Sequence, residues 1–120
     1  MKRYIRSSTS AYSYDVNSYS YTGKNFFDDT LLLCRYVSRK PSDDGTRPEV
    51  LLVQDGDNCE VVVKDGLGEI LYHRIYPMSQ LGMAICDFNK KAMGYGKTNA
   101  AYAEVDRVLS NFGKSIDDYR

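Results

Sequence analysis

The chain lacks any long hydrophobic run, and its longest uninterrupted apolar stretches are far too short to cross a bilayer. The opening residues, MKRYIRSS, carry charge but are not followed by an apolar stretch, so they do not predict a secretory signal. We therefore expect no membrane partner.

Cysteine and histidine are scarce. The three cysteines, Cys34, Cys59 and Cys86, are widely spaced, and His73 is the single histidine. Structural zinc sites need clustered thiolate and imidazole ligands, so the sequence predicts no metal and no other cofactor. An odd number of separated cysteines favours reduced, packed thiols over a disulfide framework, which indicates a reducing cytoplasm.

An excess of charge of either sign is also missing. Lys plus Arg and Asp plus Glu each number 16 among 120 residues, so the formal net charge is zero. A protein that gathers phosphates over its whole surface has a basic surplus, and an acidic mimic of nucleic acid has the reverse. Neither class is favoured here, although local charged patches are still allowed.

No complete catalytic motif is present. The segment Gly94–Thr98 resembles the end of a phosphate-binding P-loop, GxxxxGK[ST], but Lys91 stands where the first glycine is required. His73 could act as a general base only beside a carboxylate and a nucleophile, and the sequence indicates no activated Ser or Cys. We therefore predict that the protein is not an enzyme.

The clearest positive signal runs from Pro48 to Pro77. Two Asp-Gly turn segments separate three apolar runs, and Asp-Gly between β-branched residues is a strong hairpin signal. The runs are Val50–Val53, Val61–Val63 and Ile70–Ile75, and the turns are Asp55–Asn58 and Asp65–Gly68. The pattern predicts a three-stranded antiparallel meander.

Loops of four residues set a register for this meander. They place Leu52 opposite Val61 and Lys64 opposite Glu69. One face of the sheet then carries Val50, Leu52, Val61, Val63, Ile70 and Tyr72, and we expect it to be buried. The other face carries Leu51, Val53, Glu60, Val62, Lys64, Glu69, Leu71 and His73, and it is either solvated or a binding surface.

Phe26–Lys40, before the meander, fits either a helix or a strand. A helix would place Phe27, Leu31 and Cys34 on one face, whereas a strand would alternate Leu32, Cys34 and Tyr36 with their neighbours. Three consecutive leucines favour the helix slightly, because leucine is a good helix former.

Two helices follow the meander. Ser79 is the expected N-cap of the first, which ends at Gly94, and Thr98 or Asn99 is the expected N-cap of the second, which ends at Gly113. The first is predicted to bury Leu81, Ile85, Phe88 and Ala92, and the second Tyr102, Val105, Val108 or Leu109, and Phe112. The predicted fold is α+β, a three-stranded antiparallel meander packed against helices in the order α-βββ-αα.

The composition divides the chain into a Tyr- and Ser-rich arm (1–25), one α+β domain (26–113) and a tail (114–120). We expect the arm to be flexible. It is either a terminus without a role or a recognition arm whose tyrosines stack on bases or fill partner pockets. The partner-binding candidates there are Lys2, Arg3, Tyr4, Arg6, Tyr12, Tyr14, Tyr19 and Tyr21.

A second set of candidates lies around the link between the two helices. Glycine-rich backbone and basic side chains at a helix amino end can hold a phosphate, although an ordinary helix–helix turn explains the same residues. The phosphate-binding candidates are Lys90, Lys91, Gly96, Lys97 and Thr98.

The opening MKRYIRSS resembles the openings of small proteins from phages and mobile elements of Firmicutes. The α-βββ-αα plan is similar to that of some anti-CRISPR inhibitors. The resemblance implies a non-catalytic protein that binds and blocks a bacterial CRISPR-Cas nuclease, with a bacterial protein or ribonucleoprotein complex as partner. The alternative is a small protein that binds DNA or RNA through the arm and the basic helix ends.

Overall fold

The strands lie side by side in chain order. The computed structural model describes residues 30–119, so the predicted arm (1–25), residues 26–29 and Arg120 lie outside it. The described elements are β1 (Thr30–Val37), β2 (Glu49–Asp55), β3 (Asn58–Lys64), β4 (Ile70–Pro77), α1 (Leu81–Gly94) and α2 (Tyr102–Ser110). Short 3-10 turns, Met78–Gln80 and Ile116–Tyr119, precede α1 and follow α2. The fold is α+β, with an antiparallel sheet in the order β1-β2-β3-β4.

The prediction of three strands was wrong, because Thr30–Val37 is a strand where a helix had been slightly favoured. β1 pairs antiparallel with β2, and a bulge between Leu32 and Cys34 interrupts the register. The bulge breaks strict alternation, so Leu33 and Cys34 both enter the core. Pairing with β2 satisfies the backbone and buries these side chains, which outweighs the weak helix propensity of leucine.

The register of the β2–β3 hairpin is confirmed. Val50 pairs with Val63 and Leu52 with Val61, as the spacing of the apolar residues requires. The strands are joined through Gly56 and Asp57, and Gly56 has a φ of +59°. Glycine adopts this left-handed conformation without a steric cost, which explains why the Asp-Gly signal worked.

The predicted register of β3 and β4 was wrong by two residues. Val63 pairs with Tyr72, whereas the predicted loop had placed it opposite Ile70. The Asp65 carboxylate accepts hydrogen bonds from the backbone N–H groups of Leu67 and Glu69, at 2.9 and 2.8 Å, which hold a loop one residue longer than the predicted one, since Lys64 pairs with Ile70. Because a shift of two residues preserves the faces of a strand, Glu60 and His73 still share one face.

A bulge near Lys64 changes the start of β4. Ile70 pairs with Lys64, so it lies on the face opposite to the predicted one. The remainder of the predicted buried face does pack against the helices, since Val50, Leu52, Val61 and Val63 belong to the core and Tyr72 packs against it.

α1 buries the predicted side chains Leu81, Ile85, Phe88 and Ala92. It contacts β2, β3 and β4 and ends at Gly94, as predicted. Ser79 does not cap it: the residue lies in the preceding 3-10 turn, and α1 begins at Leu81 without a side-chain cap.

α2 begins later than predicted. Neither Thr98 nor Asn99 caps it; instead the Asn89 side chain, from α1, accepts a hydrogen bond from the Ala101 N–H at 2.8 Å. Val105 and Leu109 are buried, as predicted. The prediction that Tyr102 and Phe112 would be buried was wrong, since 47% and 38% of their surfaces are exposed.

The chain after α2 turns back onto the core. Gly113 has a φ of +73°, and the Lys114 N–H donates to the Leu109 carbonyl, as expected where a glycine ends a helix. Ile116 is buried in the core that the helices and the sheet form. Residues 114–119, which belong to the predicted tail, therefore include a packed side chain.

Gly66 offers a test of how the β3–β4 turn packs. A Cβ there would overlap Thr46 and lie 2.7 Å from the Arg47 backbone nitrogen, whereas a Cβ at Gly82, in α1, meets nothing within 4 Å. We expect Gly66→Ala to lower the free energy of unfolding by about 1–3 kcal/mol through overpacking. Gly82→Ala should raise it by about 0.5–1 kcal/mol, because alanine favours a helix. Urea unfolding measures both, and equal stability of the two variants would contradict this packing.

Candidate functional site

A cleft lies between β4 and α1, at one edge of the described sheet. Its volume is about 450 Å³. It is lined by two tyrosines of β4, by basic side chains from both elements, and by Met83, Cys86 and Asp87 of α1. The alternation of β4 points Tyr72, Arg74 and Tyr76 toward the helix.

Asp87 is the centre of a hydrogen-bond network at this cleft. Its Oδ2 accepts from the hydroxyls of Tyr72 and Tyr76, at 2.7 and 2.8 Å. Its Oδ1 accepts from Lys91 Nζ at 3.0 Å, and Lys91 lies one helical turn further along α1. The carboxylate is 9% exposed, so these three donors replace most of its hydration.

The pKa values of this network follow from its geometry. Burial alone would raise the pKa of Asp87, but the hydrogen bonds from Tyr72, Lys91 and Tyr76 outweigh it and hold the pKa below the ordinary value. Burial and the hydrogen bond to Asp87 raise the pKa of Tyr76 to about 12. The hydrogen bond to Asp87 raises the pKa of Lys91 in spite of burial. At neutral pH Asp87 and Lys91 are therefore charged, and Tyr76 is a neutral donor.

Cations also lie over the two tyrosine rings. Lys91 Nζ is 4.0 Å from the centroid of the Tyr72 ring, and the Arg74 guanidinium carbon is 5.1 Å from that of Tyr76. Such contacts hold both rings and both cations in place. With Lys90 also on the wall, the cleft carries three basic side chains against the single carboxylate of Asp87.

Large apolar side chains are exposed along this edge of the sheet. Met83, on the cleft wall, is 56% exposed, and Leu71 and Ile75, on the opposite face of β4, are 55% and 48% exposed. Within residues 30–119, β4 has a strand neighbour only on its β3 side. The cleft therefore adjoins an edge strand and exposed apolar surface.

The predicted phosphate-binding residues do not form one site. Lys90 and Lys91 line the β4–α1 cleft, whereas Gly96 lines another, beside the β1–β2 loop. Lys97 is neutralised by Glu104, with 2.6 Å between Nζ and Oε1, and its side chain is 10% exposed. Thr98 is exposed in the link between the helices. Phosphate binding at these residues stays a prediction.

His73 is not joined by a thiol. Its Nε2 lies 2.5 Å from Glu60 Oε1, on the sheet face away from the helices. Cys34 and Cys59 lie in the core on the helix side, and burial, with the neighbouring charges of Glu104 and Glu60, raises both thiol pKa values to about 12. Cys86 is exposed on α1.

Comparison with protein-family models, curated proteins and solved structures finds no match to this chain. Within residues 30–119, no three His, Cys, Asp or Glu side chains are grouped so that they could hold a metal ion. Neither described helix has the length and apolar character needed to cross a bilayer. The arm residues predicted to bind a partner, Lys2 to Tyr21, lie outside the described part of the chain.

Reasoning from the sequence missed Asp87 and the β4 residues around it. One signal was available: Asp87 precedes Phe88 on the apolar side of α1, and Lys91 follows it at a spacing of four. A carboxylate at the margin of a buried helix face needs partners. The identity of two of those partners, Tyr72 and Tyr76, depends on how β4 packs against α1.

Proposed function

We propose that this protein is a non-catalytic protein-binding module, and that it engages its partner through the β4–α1 cleft and the adjoining edge of β4. The observation that carries the proposal is the combination of ordered tyrosine and cationic side chains with exposed apolar ones at a sheet edge. Tyr, Arg and Met are enriched at the centres of protein interfaces, and an edge strand can pair with an extended partner segment.

The hydrogen bonds and ring contacts of this cleft support the same proposal. Asp87 holds both tyrosine hydroxyls, and the cations hold both rings, so little side-chain entropy is left to lose when a partner binds. The basic lining favours an acidic segment of the partner.

In its specific form, the proposal is that the protein is a phage-encoded inhibitor of a bacterial CRISPR-Cas nuclease. Support for this form comes from the resemblance of the opening MKRYIRSS to small phage and mobile-element proteins of Firmicutes. The other half of the resemblance, the α-βββ-αα plan, no longer supports it. The first helix of that plan was predicted in the segment where the structure has strand β1.

Two methionines of α1 provide a matched test. Met83 lies on the cleft wall, whereas Met93 lies near the other end of α1, and both are exposed. We expect Met83→Glu to weaken binding to a Cas effector complex by roughly 30-fold, which corresponds to about 2 kcal/mol for one interface anchor. Met93→Glu should leave binding unchanged, and both variants should keep wild-type stability.

The measurement is co-elution with purified Cas effector complexes, together with inhibition of their DNA cleavage. Equal effects of the two glutamate substitutions would contradict binding at the cleft. Absence of binding to every effector complex tested would refute the inhibitor form while leaving protein binding at the cleft open to a test with other partners.

Nucleic-acid binding is the second candidate function, because Arg74, Lys90 and Lys91 lie beside tyrosine rings in the same cleft. Stacking rings and cations together bind single strands. A gel shift with RNA or DNA alone, weakening steeply as salt is raised and weakened further by Lys90→Ala, would favour this candidate. Protein binding predicts no shift in the absence of the partner.

A further inference from the structure

The edge of β4 presents different chemistry on its two sides. Successive side chains of a strand point to opposite faces of the sheet. On the helix side, Tyr72, Arg74 and Tyr76 line the β4–α1 cleft. On the opposite face, Leu71 and Ile75 are 55% and 48% exposed. A strand added along this edge would therefore meet the cleft with one set of alternate side chains and apolar surface with the other set.

Two cations at the cleft have no carboxylate partner. Among the described residues, Asp87 is the only acidic side chain on the cleft wall, and Lys91 already pairs with it at 3.0 Å. Arg74 and Lys90 are exposed, and within residues 30–119 neither forms an ion pair. Charge complementarity therefore favours a partner segment that brings carboxylates to this side of the edge.

The other side of the same edge favours apolar contacts. Leu71 and Ile75 flank His73, whose Nε2 is hydrogen-bonded to Glu60 Oε1 at 2.5 Å. Cross-strand neighbours on one face of a sheet interact, and burial of exposed aliphatic surface is favourable. Aliphatic side chains of an added strand would remove Leu71 and Ile75 from water.

We propose that the partner segment bound at β4 is an extended strand in which acidic and apolar side chains alternate. Its carboxylates lie on the cleft side, near Arg74 and Lys90, and its aliphatic side chains lie beside Leu71 and Ile75. The alternation follows because a strand that extends a sheet shares the two faces of that sheet with a period of two. This assignment rests on the proposed function, since it specifies the partner chemistry for the same cleft and edge.

A second copy of this chain is a poorer occupant of the edge. Two β4 strands paired about a twofold axis would place Arg74 and Lys90 of both copies on one face of the continuous sheet, and like charges oppose association. β4, with the sequence ILYHRIYP, has no carboxylate to offer them. Sedimentation of the free chain as a dimer that Ile75→Ser dissociates would overturn the proposal in favour of a second copy.

Fluorescence anisotropy with short peptides and the full-length chain tests the alternation. The probe is fluorescein-labelled Gly-Glu-Val-Glu-Ile-Glu-Val-Gly. The matched control, Gly-Glu-Glu-Glu-Val-Ile-Val-Gly, has the same composition and net charge but separates the acidic residues from the apolar ones. We expect the alternating peptide to bind at least about 10-fold more tightly. Equal affinities, or no binding of the alternating peptide at about 1 mM, would refute the proposal.

Charge reversal on both partners locates the carboxylates. Arg74→Glu should weaken binding of the alternating peptide by roughly 10-fold and should favour a peptide in which lysine replaces each glutamate. Arg39→Glu makes the same change of charge at an exposed position just after β1, the strand at the other edge of the described sheet. It should leave both affinities within about twofold of wild type. Equal effects of the two reversals would indicate attraction by net charge alone and would contradict the proposed placement.

N-methylated peptides test the backbone pairing independently of side chains. In an added strand, successive N–H groups point alternately toward β4 and away from it. N-methylation of the central isoleucine and of the glutamate before it should therefore have unequal effects. One of the two should lower the affinity by about 10-fold or more, and the other should leave it unchanged. Equal losses, or no loss from either, would show that the peptide does not extend the sheet.

The result for the peptides can be separated from that for the proposed function. Suppose that Met83→Glu weakens binding of a protein partner and the alternating peptide does not bind. The cleft is then still the interface, and only the alternating pattern is refuted. If Met83→Glu and Met93→Glu act alike on the protein partner, the proposed function fails whatever the peptides do.

Discussion

Replacing Phe88 by alanine is expected to lower the free energy of unfolding by about 3–5 kcal/mol, the range for deleting a buried aromatic ring. Phe88 is 0% exposed and is the largest fully buried side chain among the described residues. It lies on the face of α1 that packs against the central strands, so its removal leaves a cavity between helix and sheet. Chemical unfolding followed by far-UV circular dichroism measures the loss.

Two further substitutions make this prediction specific to burial. Phe88→Leu keeps part of the volume and should cost less than Phe88→Ala, which keeps the series measurable if the alanine variant does not fold. Met83→Ala changes an exposed side chain on the same helix and should stay within about 0.5 kcal/mol of wild type. Similar losses for Met83→Ala and Phe88→Ala would show that helix propensity, and not packing, governs α1.

Replacing Asp87 by alanine should cost about 3 kcal/mol, the lower end of the range for removing one partner of a buried charged pair. Three donors, the hydroxyls of Tyr72 and Tyr76 and the Lys91 ammonium, would lose their acceptor at once. The lower end applies because the Lys91 side chain is 33% exposed and can recover water. Asp87→Asn retains a neutral acceptor and should cost about half as much.

The pH dependence of stability follows from the direction of the Asp87 shift. Because the pKa of Asp87 in the folded protein lies below its unfolded value, its contribution is complete above the unfolded pKa of about 3.9. That contribution is lost as the pH falls through the folded pKa. Wild type should therefore lose stability in this acidic range more steeply than Asp87→Asn, as thermal unfolding between pH 2 and 6 would show.

Asp43→Ala is the control for this series, because Asp43 is exposed in the β1–β2 loop and should change stability by less than about 0.5 kcal/mol. An Asp87→Asn protein with the same acid dependence as wild type would contradict the network. Retention of wild-type stability by Asp87→Ala would contradict it as well.

The parts of the fold that sequence reasoning predicted are those in which neighbouring residues carry the information. The β2–β3 hairpin is closed by Asp55–Asn58, and its register follows from where the apolar runs begin. The buried face of α1 follows from the spacing of Leu81, Ile85 and Phe88. In both cases the local conformational preference and the burial of apolar surface agree.

The predictions were wrong where contacts between residues distant in sequence determine the local structure. Leu31–Leu33 has no clear local preference, and pairing with β2 makes it a strand. The start of α2 is set by Asn89, twelve positions before Ala101, and not by a local cap. At the cleft, Asp87 was missed because its acceptor role depends on Tyr72 and Tyr76, which β4 brings to α1.

The sequence by itself determined that this protein has Asp-Gly hairpins and an amphipathic α1. It also showed no metal-ligand spacing among its cysteines and its histidine, which are Cys34, Cys59, Cys86 and His73. Only the tertiary structure decided the state of β1, the register of β4 and the assembly of the β4–α1 cleft. Those features depend on the free energy of contacts between separate segments, which exceeds the small local preferences that a sequence pattern reports.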